Sequence, residues 1–177
     1  MAPSATKPND DSQVNMPIET ADVDQMVEDL FSIMLGIPAL QSPPSADGPS
    51  ADGPSADGPG ADGPGDDALQ ATVRISGQWN AEVKVVASMT LIERIASTMF
   101  SIDLNELEEE EKVDALGEAV NVIGGNVKGV LNGDCNLSLP CVGKPFDNEC
   151  PNRLIASYDC EREPLIIELS VWDGQQT

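Results

Sequence analysis

Apolar residues recur at helical spacing just after residue 22: Val23, Met26, Val27, Leu30, Phe31, Met34 and Leu35 share one stripe. Asp22 can cap this helix, and Gly36 with Pro38 stops it, which predicts an amphipathic helix over about 22–36. From Leu69 the period changes. Ala71 to Gly77 and Ala81 to Ala87 alternate like half-buried strands, with Gly77-Gln78-Trp79-Asn80 turning the chain between them. Thr90 to Ile102 is helical again, with Leu91, Ile92, Ile95, Met99 and Phe100 on one side. The acidic run Glu106 to Glu111 opens another helix, where negative charge suits the helix dipole, and that helix runs to about Leu131. Asn132-Gly133 turns the chain, and Asn136 to Pro140 predicts a short strand. Arg153 to Asp159 and Pro164 to Trp172 predict a closing antiparallel pair. Helices and strands segregate rather than alternate. The expected class is α+β, an antiparallel sheet with helices packed on it.

Two segments stand outside this pattern. Residues 1–20 are polar with three prolines, and are expected to be a disordered lead-in to one domain over 21–177. Between the first helix and the first strand, residues 42–67 carry a repeat of period five. Ser45-Ala46-Asp47-Gly48-Pro49 recurs from Ser50 and Ser55, then as Gly60-Ala61-Asp62-Gly63-Pro64. Proline and glycine at this density forbid helices and ladders, and a collagen reading fails because its glycine period is three. The segment is a spacer whose ends, for a flexible chain, lie roughly 25–30 Å apart. The main body is then 69–172.

Charge narrows the function classes. Nine basic residues stand against 31 acidic ones, a net charge of −22. Such a surface repels phosphate backbones and anionic lipids, so nucleic-acid and membrane partners are not expected. No apolar run of about 18 residues occurs, and the N-terminal run lacks the apolar core of a secretory signal. A cytoplasmic location is expected. There is no histidine, which removes Ser-His-Asp and Cys-His catalysis and histidine zinc sites. Cys135, Cys141, Cys150 and Cys160 have neither paired zinc spacing nor the loop of a thiol phosphatase, and are expected to be reduced structural thiols. Chemistry is left to carboxylates, amides, hydroxyls, lysines or thiols.

The segment from Asp114 to Lys128 carries the sharpest signal. On a wheel at about 100° per residue, Leu116, Val120, Ile123 and Val127 form the buried stripe. Glu118, Asn121 and Gly125 occupy the opposite side as surface neighbours. An interior helix glycine costs about 1 kcal/mol relative to alanine, and Gly124-Gly125 incurs this twice. Gly125 points outward, where its sensible use is to let something large approach the helix. The same residues also fit a solvated face with an accidental glycine.

Glu118-x-x-Asn121 followed by Gly125-Asn126 resembles the ExxN signature of the CheC/CheX/FliY phosphatases of bacterial chemotaxis, and single-site CheX most of all. Met34-Leu35-Gly36, the strand into Gly77, Asp114-Ala115-Leu116-Gly117 and Leu137-Ser138-Leu139-Pro140 support the match, which covers about 22–36 and 69–172. The resemblance implies a pseudo-twofold internal repeat. Its trace sets Asp29-Leu30-Phe31-Ser32 against Glu118-Ala119-Val120-Asn121, with Gly36 opposite Gly125.

The resemblance also implies a function: removal of the phosphoryl group from the aspartate of a CheY-like response regulator. Asn121 would orient the attacking water and Glu118 would pair with the regulator's lysine, with Gly125 as the approach surface. The Mg²⁺ would be the regulator's, leaving this chain without a metal site of its own. A homodimer formed through sheet edges is implied too. The alternative is a non-catalytic module that docks a receiver domain on the same face.

Overall fold

The computed structural model describes residues 16–42, 64–131, 133–146, 150 and 152–172. Its first helix, α1, spans Thr20–Val27 and continues as a π-helix over Glu28–Met34. Asp22 is not its N-cap. Glu19 is, and Asp22 completes a capping box by accepting from the Glu19 N–H at 2.9 Å. The wider π turns shift the apolar stripe, so Met34, expected in the core, is exposed beside Ile33. Gly36 closes the helix at φ +66°. Ile18 is buried, so the folded unit begins within the expected lead-in, whose residues 1–15 lie outside the described ones. The spacer repeats at 43–63 lie outside them as well.

Among the described residues seven strands follow, with two further helices among them. They are β1 (Leu40–Ser42), β2 (Leu69–Gly77), β3 (Asn80–Ala87), α2 (Met89–Phe100), α3 (Glu109–Val130), β4 (Cys135–Leu137), β5 (Cys141–Gly143), β6 (Arg153–Cys160) and β7 (Glu163–Trp172). The sheet order is β1-β6-β7-β3-β2-β4, with β5 also on β2, and every pairing is antiparallel. The α+β expectation holds.

Exchanging β1 with β4, β2 with β6 and β3 with β7 reverses this order end to end, with β5 left without a counterpart. That is the connectivity an internal repeat would give. The glycines aligned for such a repeat differ in place, however: Gly36 ends its helix in a left-handed conformation, whereas Gly125 lies inside α3.

One face of the sheet carries the helices. α3 packs on β2 and β3, α2 on α3 and β7, and α1 on β6. Between them lie Phe31, Val73, Val83, Leu91, Ile95, Leu116, Ile123 and Leu169, all buried. The other face is exposed toward its edges, but its centre buries polar side chains, Gln70, Thr72, Glu82, Lys84 and Ser170. Lys84, 1% exposed, reaches Glu168 at 3.3 Å and Glu82 at 3.7 Å, and Phe146 lies over its ammonium at 5.1 Å. Arg74 pairs with Glu82 at 2.9 Å and Arg153 with Glu168 at 3.8 Å. Lys84 and Glu82, both held away from water, persist as charges only when paired in this way.

Candidate functional site

α3 is fixed at its N-terminal end and from beneath. Glu108 caps it, and its own N–H donates to Glu111 at 2.8 Å, so the acidic run satisfies free backbone donors and complements the dipole. Lys112 ties the first turns to α2 through Glu93, at 2.9 Å. Hydrogen bonds to Glu93 and Glu109 raise the Lys112 pKa. Leu116, Val120, Ile123 and Val127 are buried against the sheet, as the wheel requires.

Two of the glycines serve the packing. A Cβ on Gly124 would lie 2.5 Å from Val73 Cγ2 and 3.2 Å from Leu137 Cδ1, so the bare backbone lets α3 settle on β2. Gly117 faces Pro140, whose Cγ would stand 3.5 Å from an added Cβ.

The outer face is different. Glu118 and Gly125 are exposed and Asn121 is half-buried, all three on one side of the helix. An added Cβ on Gly125 meets nothing within 4 Å, and the same holds for Gly129 one turn on. Neither the Glu118 carboxylate nor the Asn121 carboxamide has a hydrogen-bond or ion-pair partner among the described residues. A rigid helix thus presents a free carboxylate, a free carboxamide and a strip without side chains. The carboxamide can accept from a water and donate to an anionic oxygen at once.

Beside Glu118 the surface falls into an open groove of about 510 Å³. Its walls are Phe100 at the end of α2, Val113 and Asp114 on α3, and Pro140 and Val142 around β5. Sequence reasoning missed Gly129, Asp114 and this groove. The first two lie four residues from Gly125 and Glu118, a spacing that was available; the groove joins elements distant in sequence. Among the described residues no cluster of three His, Cys, Asp or Glu is placed to hold a metal, and no helix is long and apolar enough to cross a membrane.

Comparison with known proteins places this geometry in context. The family model described as chemotaxis phosphatase CheX matches residues 69–153. No curated protein matches the chain. The chemotaxis protein CheX from Vibrio vulnificus is 18% identical with a TM-score of 0.65, over 89% of this chain and 99% of that one. A CheC-like superfamily protein from Shewanella sp. PV-4 is 16% identical with a TM-score of 0.64, over 88% and 99%. The CheX-CheY-BeF3-Mg²⁺ complex from Borrelia burgdorferi gives 11% and 0.65, over 89% and 100%. At these identities the structures establish the fold.

Proposed function

Because this chain is a CheX-like member of the CheC/CheX family, we propose that it hydrolyses the aspartyl phosphate of a CheY-like response regulator. The observation that carries the reading is the unpartnered Glu118 and Asn121 beside the open Gly125, on one face of a rigid helix. A relative with this fold is seen with CheY, Mg²⁺ and BeF3, a group with the shape and charge of a phosphoryl group.

On this reading Gly125 admits the regulator's active-site loops to the α3 surface. Glu118 pairs with the lysine beside the phosphoaspartate and sets the register of docking. The Asn121 carboxamide oxygen accepts from a water held in line behind phosphorus, while its NH₂ donates to a phosphoryl oxygen. A P–O bond forms to the water as the bond to the aspartate oxygen breaks. The products are a free carboxylate and inorganic phosphate, the water's protons passing to phosphate and solvent. Placement, rather than a shifted pKa, supplies the acceleration. The Mg²⁺ is the regulator's. A homodimer paired through sheet edges and a cytoplasmic location belong to the same proposal. Phosphate release from a phosphorylated CheY-like receiver tests it: wild type accelerates release, and loss of the Asn121 carboxamide abolishes most of that acceleration.

A further inference from the structure

The groove beside Glu118 has walls of two kinds. Phe100, Val113, Pro140 and Val142 supply apolar surface, and Phe100 and Val113 are themselves 41% and 39% exposed. Asp114 and Glu118, one helical turn apart, supply carboxylates on a single side. No lysine or arginine lines it, and Asp114, like Glu118, has no ion-pair or hydrogen-bond partner among the described residues.

An apolar occupant would strip water from two unpaired carboxylates and return nothing to them, which is unfavourable. A lysine or arginine side chain fits both walls, its methylene stem on the apolar surface and its charged head at the carboxylates. The net charge of −22 favours the same occupant at longer range. About 510 Å³ is ample room for one such side chain.

We propose that this groove receives a second basic side chain of the docked receiver domain, with Asp114 as its partner. This rests on the reading of the α3 face as the receiver-docking site. Glu118 then stands between two cations, the lysine beside the phosphoaspartate and the one in the groove. Asp114 is a specificity-determining residue: it selects regulators with a basic residue at the matching place and contributes nothing to water placement.

The test measures affinity without turnover, using a labelled CheY-like receiver domain activated with beryllium fluoride and Mg²⁺. Asp114→Asn weakens binding about 5- to 10-fold at low salt and flattens its salt dependence, as loss of one interfacial charge pair predicts. Val113→Trp, which fills the groove from an exposed helix position, weakens it at least about 10-fold. Circular dichroism confirms that both variants are folded. Wild-type affinity in both folded variants overturns the proposal. So does a homodimer that Val113→Trp dissociates while receiver affinity stays unchanged, since the groove then belongs to a second copy. If wild type itself does not bind the receiver, the docking reading fails and the groove proposal with it. If Asn121→Ala turns over like wild type while the affinities shift as stated, the groove stands and only the water-positioning mechanism falls.

Discussion

Gly124 sets its bare backbone against Val73, where an added Cβ would come within 2.5 Å of Cγ2. Val73 is fully buried and β-branched, so it cannot swing aside. The next residue, Gly125, has open space at the same place. Alanine at these adjacent positions should therefore act with opposite sign. Gly124→Ala is expected to lower stability by about 1–3 kcal/mol through overpacking, despite its better helix propensity. Gly125→Ala is expected to raise it by about 0.5–1 kcal/mol, because only propensity changes. Urea unfolding of both variants measures this. A stabilised Gly124→Ala would show that α3 and β2 do not approach this closely.

The same pair marks what the sequence can and cannot convey. The outward place of Gly125 follows from the wheel, because one apolar stripe fixes every position on the helix. The role of Gly124 does not, since it depends on a strand 51 positions earlier, the separation of 124 and 73. The long hairpins β2–β3 and β6–β7 were legible because eight or more residues carry a period. β1 and β5, with three residues each, are too short to carry one. Exposed Met34 escaped prediction because the π turns break the 3.6-residue repeat that the stripe assumes. The buried polar centre of the sheet's other face escaped because alternation tells which residues share a face, while Phe146 over Lys84 comes from elsewhere.

The Tyr158 hydroxyl donates to Asp24 at 2.7 Å, and Gln41 donates to both oxygens of the same carboxylate at 3.1 and 3.2 Å. One side chain thus joins α1, β1 and β6. Tyr158→Phe removes this part-buried bond and leaves the ring packing intact. A loss of about 1–2 kcal/mol is expected, as for a hydrogen bond to a charged group. Thermal unfolding checks it, and an unchanged midpoint would show that α1 is held by its apolar stripe alone.

Alkaline pH should act through two buried groups. Burial pushes the Cys160 thiol from 9.0 up to about 12, the Asp159 carboxylate adding to this and Arg94 opposing it. Burial, and then the bond to Asp24, raise the Tyr158 phenol far above its usual range. Both groups bind protons more tightly folded than unfolded. The Cys160 contribution is complete below 9.0 and is lost as pH rises toward about 12, and that of Tyr158 is complete below 10.0 and is lost only at still higher pH. Stability to urea should therefore fall through this window. Tyr158 is the sole tyrosine, so tyrosinate absorbance reports on it alone. It should rise together with unfolding, and a simple titration at the usual phenol value, with the fold intact, would contradict the part-buried bond.

The outer face of α3 yields the sharpest expectation. Asn121→Ala removes the group that places the water but neither the docking charge nor the open surface. It is expected to cut receiver dephosphorylation at least about tenfold while leaving receiver affinity largely unchanged. Glu118→Ala removes the partner of the regulator's lysine, so affinity should fall as well. Gly125→Leu places bulk where the structure leaves open space, so the helix stays stable while the receiver loop is held off. Activity should then be lost through affinity, with the melting temperature unchanged or slightly higher. Single-turnover phosphate release, set beside affinity for the beryllium fluoride-activated receiver, separates the three effects. Wild-type turnover by Asn121→Ala would end the phosphatase mechanism proposed for this face. A silent Gly125→Leu alone would move the approach surface elsewhere on α3 and leave the water-placing role of Asn121 intact.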